Sequence, residues 1–174
     1  MGGEDIVRGV RRLKADFGTK CSKFAGAACV EVLKAALANE GIRSSPRDVF
    51  IRGIPVELDL LVPREGEEPA FGLLYEPRQV AAVLEIKNSG CFSKEAFAKV
   101  GRDCERLRAA NIPWAYVTLE ERRGFPWAPS CDRLGSPCFT LAWHKKTGGP
   151  VELTEDWEKL VDFLRECVAS DRAA

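Results

Sequence analysis

Val56-Glu57-Leu58-Asp59-Leu60-Leu61-Val62 and, after a loop, Ala82-Val83-Leu84-Glu85-Ile86-Lys87 are the stretches whose reading decides the fold. Side chains of a strand point to opposite faces with period two, so Val56, Leu58, Leu60 and Val62 share one face while Glu57 and Asp59 project from the other. In the second stretch Leu84 and Ile86 face one way and Glu85 and Lys87 the other. If the two strands are neighbours, an Asp, a Glu and a Lys converge on one patch whose reverse side is apolar.

Metal-assisted phosphodiester hydrolysis uses such a patch. Mg²⁺ takes oxygen ligands, keeps several waters, and is commonly held by one or two carboxylates plus a substrate phosphate. Asp59 and Glu85 supply such ligands, with the Ile86 carbonyl between them. A cation held there lowers the pKa of a bound water and neutralises charge in the transition state, and Lys87 beside it orients the nucleophile or stabilises the developing charge. Mg²⁺ is therefore the expected cofactor, with Mn²⁺ as a substitute.

Asp59 followed by Glu85-Ile86-Lys87, with a polar-glycine turn Asn88-Ser89-Gly90 after it, resembles the P-D-(D/E)-x-K nuclease superfamily of restriction enzymes, junction resolvases and RecB-type nuclease domains. The resemblance covers roughly residues 21–121. It implies an α/β fold with a restriction endonuclease-like core, a central mixed sheet flanked by helices in the order α-β-β-β-α-β, and activity as a Mg²⁺-dependent nuclease acting on DNA, with RNA as a further substrate class. Leu58 stands where the proline of the name would be, and Glu57 adds a carboxylate of unassigned role. In that family a glutamate of the first core helix often points toward the metal, and Glu31 is the residue that matches, as catalytic group and further ligand.

Two readings compete with a nuclease. Antiparallel strands with one solvated face also alternate apolar with charged residues, and Glu57, Asp59, Glu85 and Lys87 would then form cross-strand ion pairs. A catalytically inactive nucleic-acid-binding or assembly module that keeps the fold is the other. Asp within strands as apolar as these is disfavoured unless something compensates, which argues for a site.

The chain of 174 residues, 45% hydrophobic and 30% charged, reads as one globular domain over residues 1–174. It has no apolar run of membrane-spanning length, and Met1-Gly2-Gly3-Glu4-Asp5 is not a signal peptide, so a cytoplasmic protein without membrane association is expected. Formal net charge is zero. A DNA surface must therefore come from local clusters, and Lys94, Lys99, Arg102 and Arg106 on one helix are the candidates, with Arg8, Arg11, Arg12 and Lys14 as a second group. A homodimer is compatible with this composition. The seven cysteines contain no C-x-x-C pair, which speaks against a zinc or iron–sulfur site.

In chain order, Ile6, Val10, Leu13 and Phe17 recur at helical spacing in a leading helix ahead of the core. Residues 22–39 form a second helix ending at Gly41. Its Glu31 lies among Phe24, Ala27, Ala28, Ala35 and Ala38, with another apolar face lined by Cys29, Val32, Leu33, Ala36 and Leu37, which predicts a largely buried helix and a Glu31 aimed at Asp59. Residues 47–52, 56–62 and 79–87 are three strands, residues 63–77 a variable loop with a hairpin extension at 71–75, and Ser93 caps a helix over 94–110. Residues 114–119 are the fourth strand. A strand over 138–145 and a helix capped by Thr154 close the chain. His144, the only histidine, reads as structural. No phosphate-binding loop, dinucleotide fingerprint or G-x-S-x-G elbow is present. With Glu31, Asp59 and Glu85 gathered, Asp59→Ala would relieve repulsion and stabilise the metal-free protein.

Overall fold

The computed structural model describes residues 2–17, 23–87, 94–122, 135–144 and 150–170. The first helix, α1 (Gly2–Phe17), buries Ile6, Val10 and Leu13 along one stripe and turns its arginines outward. It packs on α2 (Lys23–Asn39), and a Cβ placed at Gly9 would meet Val32 at 2.4 Å, so a glycine there lets the helices approach. Gly41, at φ +74°, ends α2 by turning back the Ile42 N–H to the Leu37 carbonyl at 3.0 Å.

Three strands follow: β1 (Val49–Ile51), β2 (Ile54–Leu58) and β3 (Leu60–Pro63). After β4 (Leu74–Tyr75) and a short 3₁₀ turn come β5 (Val80–Lys87), α3 (Lys94–Ala109) and β6 (Trp114–Thr118). The chain ends with β7 (Glu121–Arg122), β8 (Cys138–Thr140), β9 (Ala142–His144), β10 (Val151–Leu153) and α4 (Asp156–Ala169). Ser93 and the 88–90 turn lie outside the described residues.

The central sheet has the order β3-β5-β6-β8, with β3 antiparallel to β5 and the other pairs parallel. On one face Leu60, Val62, Ala82, Leu84, Ile86, Ala115 and Val117 join the buried sides of α1, α2 and α4. On the other, Leu61, Val83, Trp114 and Tyr116 join Val100, Cys104 and Leu107 of α3 and the small sheet β2-β1-β4. Because both faces are covered, β3 is buried at all four positions and β5 at six of eight. Leu84, fully buried in mid-sheet, tests this packing. Leu84→Ala is expected to destabilise the protein by about 2–5 kcal/mol, read as a lower urea midpoint with an unchanged m-value.

Three expectations are corrected. The 56–62 strand is two strands: β2 pairs with β1 in the small sheet and β3 with β5 in the central one, with the chain bending at Asp59 between them. The 138–145 strand likewise breaks at Leu141, whose N–H is drawn to the Thr118 carbonyl at 2.9 Å, and β9 joins β10 and β7 in a third sheet. Finally, α2 buries only one face, formed by Cys29, Val30, Leu33, Ala36 and Leu37, and leaves Glu31, Ala35 and Ala38 exposed. Thr154 does serve the start of α4, its Oγ1 accepting the Asp156 N–H at 3.1 Å. Cys138 is disulfide-bonded, whereas Cys29, Cys104 and Cys167 are not in disulfides. Among the described residues, no helix is long and apolar enough to cross a membrane.

Candidate active site

Strand β3 faces β5 with Leu60 opposite Leu84 and Leu61 opposite Val83. Continued one residue, this register brings Asp59 alongside Glu85 at the carboxyl end of β5. Asp59 sits in the bend, where its carboxylate replaces a ladder carbonyl: Oδ2 accepts the Ile86 N–H at 2.7 Å. That bond ties the bend to the neighbouring strand and fixes the carboxylate in place.

Alternation along β5 then separates the faces as the sequence implies. Leu84 and Ile86 enter the apolar cluster beneath α2 and α4, while Glu85 and Lys87 stay partly accessible. Lys87 Nζ donates to Glu85 Oε1 at 2.5 Å, to the Ile86 carbonyl at 3.2 Å and to Asp59 Oδ2 at 3.4 Å. One ammonium thus gathers two carboxylates and a carbonyl. Desolvation would lower the Lys87 pKa, but the attraction and hydrogen bonds of Glu85 and Asp59 outweigh it and hold the ammonium above its ordinary range. The side chains of Lys87, Glu85 and Asp59 remain 32%, 19% and 31% exposed, so the cluster is open on one side to a substrate.

This donor set suits a hard cation. The two carboxylates share the Lys87 ammonium, and the carbonyl oxygen lies against the same charge, a combination of hard oxygen ligands that Mg²⁺ takes while retaining waters. Among the described residues, no group of three His, Cys, Asp or Glu side chains gathers to hold a metal. Asp59, Glu85 and the Ile86 carbonyl are the oxygen donors that meet at this point.

Glu31 is not brought to this cluster. It is 59% exposed, pairs with Lys34 at 3.3 Å one turn along α2, and lines a cleft of about 740 Å³ between α1 and α2 with Arg8, Arg12 and Arg47. Of the residues that suggested a buried face, Ala35 and Ala38 are exposed and Ala27 and Ala28 half-buried, methyl groups that α2 leaves accessible at little cost, while the side chain of Phe24 lies outside the described residues. Glu57 is exposed on β2. On α3, Arg102 is exposed, whereas Arg106 pairs with Asp103 at 3.3 Å in the last turn, roughly 18 Å along the helix axis from Lys94. The side chains of Lys94, Lys99 and His144 lie outside the described residues. Beside the cluster are two buried polar residues that the sequence reading passed over: Thr118, opposite Lys87 on β6, and Glu120, next to Leu119, whose N–H donates to the Lys87 carbonyl at 2.9 Å. Their signal was a polar residue at the carboxyl end of an apolar parallel strand, where α/β sheets place ligands.

No protein-family model and no curated protein sequence matches the chain. Among solved structures it is similar to P. aeruginosa ATCC27853 NucC in its cAAA-bound form, with a TM-score of 0.64 and 13% sequence identity over 99% of this chain and 95% of that one. The likeness is one of fold: a mixed α/β, restriction endonuclease-like architecture that extends over the whole chain.

Proposed function

We propose that this protein is a Mg²⁺-dependent nuclease that hydrolyses phosphodiester bonds of DNA. The observation that carries the reading is the convergence of Asp59, Glu85 and Lys87 at the carboxyl end of β5, on strands whose every other position is committed to the core. The shared fold with NucC supports it. Asp59, Glu85 and the Ile86 carbonyl are the groups that would hold the cation, Mg²⁺ or Mn²⁺. When bound, the cation supplies Lewis acidity toward a water and a phosphoryl oxygen.

The chain's own residues do the rest. The Ile86 N–H keeps Asp59 from rotating away, and the register with β3 keeps it beside Glu85. Lys87, the ammonium that both carboxylates accept from, would direct its N–H donors to the attacking water or to a non-bridging phosphoryl oxygen. The water oxygen would form the new bond to phosphorus as the bond to the leaving sugar oxygen breaks, the water's proton passing to solvent and the departing oxygen taking one from it, and a donor within reach of the developing charge lowers the barrier. Glu31 has no part in this assignment. Arg102, with Lys94 and Lys99, is assigned to the DNA backbone. Arg102→Ala should weaken binding to all sequences alike and reduce the salt slope by about one, checked by titration at several salt concentrations.

Incubation with linear, nicked, branched and single-stranded DNA, and with RNA, in Mg²⁺ or Mn²⁺ tests the class and the substrate together. Each is run with and without cAAA, the ligand in the NucC structure. Cation-dependent cleavage of at least one DNA is expected. Binding without cleavage under every condition would replace the enzyme with an inactive nucleic-acid-binding module.

A further inference from the structure

Four large apolar side chains are exposed among the described residues, and three of them belong to β1 and the turn that leads into β4: Phe50 (39%), Phe71 (93%) and Leu73 (43%). That turn is closed at its base by a reciprocal pair of hydrogen bonds between Ala70 and Leu74, at 2.8 and 2.9 Å. At its tip Phe71 is held at φ +54°, followed by Gly72 at +75°. A left-handed backbone is costly for a bulky aromatic residue, and here no burial of the ring offsets it.

The topology says where this ring stands. Val49 begins β1 opposite Leu58, the residue before Asp59, and β4 runs parallel to β1 with Leu74 opposite Phe50. The turn into β4 is therefore at the Asp59 end of the small sheet. Leu73, whose carbonyl accepts the Phe50 N–H at 3.0 Å, lies two strands from Leu58, about 10 Å at ordinary strand spacing. Arg47, 40% exposed, stands at the same end just ahead of β1.

We propose that Phe71 is a wedge that stacks against a base of the bound DNA beside the cleavage site, with Leu73 and Phe50 supporting it. The inference rests on the nuclease reading and adds a residue that selects where the strand is held. A second copy of the chain is the other occupant for exposed apolar groups, but three side chains fall well short of the roughly 800 Å² that each partner of a stable interface buries. One projecting aromatic on a hydrogen-bonded turn at the Asp59 end of the small sheet matches a base instead.

The test uses Phe71→Ala, Phe71→Trp and Phe71→Gly with duplex and single-stranded DNA carrying 2-aminopurine at successive positions. Ca²⁺ replaces Mg²⁺ so that the strands stay intact. Wild type should raise the fluorescence of the probe at one or two adjacent positions. Phe71→Ala should abolish that signal and weaken affinity roughly 5- to 150-fold, and Phe71→Trp should retain both. Phe71→Gly should lose the signal yet raise Tm by about 2–4 °C, because glycine relieves the left-handed strain, whereas a ring with a structural role would lower Tm when removed. Equal affinity and equal probe response in wild type and Phe71→Ala, with Mg²⁺-dependent cleavage intact, would overturn the wedge and leave the nuclease reading standing. No binding of wild type to any nucleic acid would overturn both. Conversion of an oligomer to a monomer by Phe71→Ala, with DNA affinity unchanged, would assign the ring to a second copy.

Discussion

Lys87→Ala should lower the rate of phosphodiester cleavage by roughly 10²–10³ while leaving DNA affinity close to wild type, because the proposed donor acts on charge that develops only in the transition state. The loss should therefore fall on kcat and not on KM, measured under single-turnover conditions. The structural consequence is secondary but definite. In the metal-free protein Lys87 is the shared positive partner of Glu85 and Asp59, so its removal leaves two neighbouring carboxylates without it. Lys87→Ala should accordingly depend more strongly on divalent cation for its stability than the wild type does, visible as a larger rise in Tm on adding Mg²⁺. Cleavage undiminished in this variant would mean that the Asp59, Glu85 and Lys87 convergence is an ion-pair network and nothing more.

Asp59 carries the second large effect, and here geometry reverses an expectation from sequence. With Glu31 on an exposed surface and Lys87 donating to both Asp59 and Glu85, there is little repulsion for a substitution to relieve. Asp59 also accepts the Ile86 N–H. Asp59→Ala should thus destabilise the protein by about 1–3 kcal/mol, the usual cost of leaving a backbone donor without its acceptor. Asp59→Asn retains an acceptor in nearly the same position and should fold close to wild-type stability, yet neither variant should cleave DNA. Urea denaturation of the pair, alongside the cleavage assay, separates the fold role of this side chain from its proposed metal role.

The sequence carried the central sheet well because its information is local. In β5 a strict alternation under a continuous apolar run announces which side chains face the core, and the structure keeps Leu84 and Ile86 on that side and Glu85 and Lys87 on the other. The break at Asp59 was not legible. Leu58 and Leu60 preserve the apolar pattern across it, and what divides the stretch is the choice of different partners, β1 before the bend and β5 after it. Glu31 failed for a related reason: helical spacing tells which residues of α2 share a face, but not which face the rest of the protein covers. The strain at Phe71 was invisible for a third, since an aromatic residue in a loop rich in Gly, Glu and Pro gives no sign of a positive φ.

The central claim is that Asp59 and Glu85 form a divalent-cation site, and Mn²⁺ binding followed by electron paramagnetic resonance tests it without reliance on the right DNA. Mn²⁺ added to the wild-type protein should lose its free-ion signal and recover it when excess Mg²⁺ competes. Asp59→Asn and Glu85→Gln should each weaken binding by at least about tenfold. Equal Mn²⁺ binding in wild type and both variants, or none in the wild type, would contradict the account.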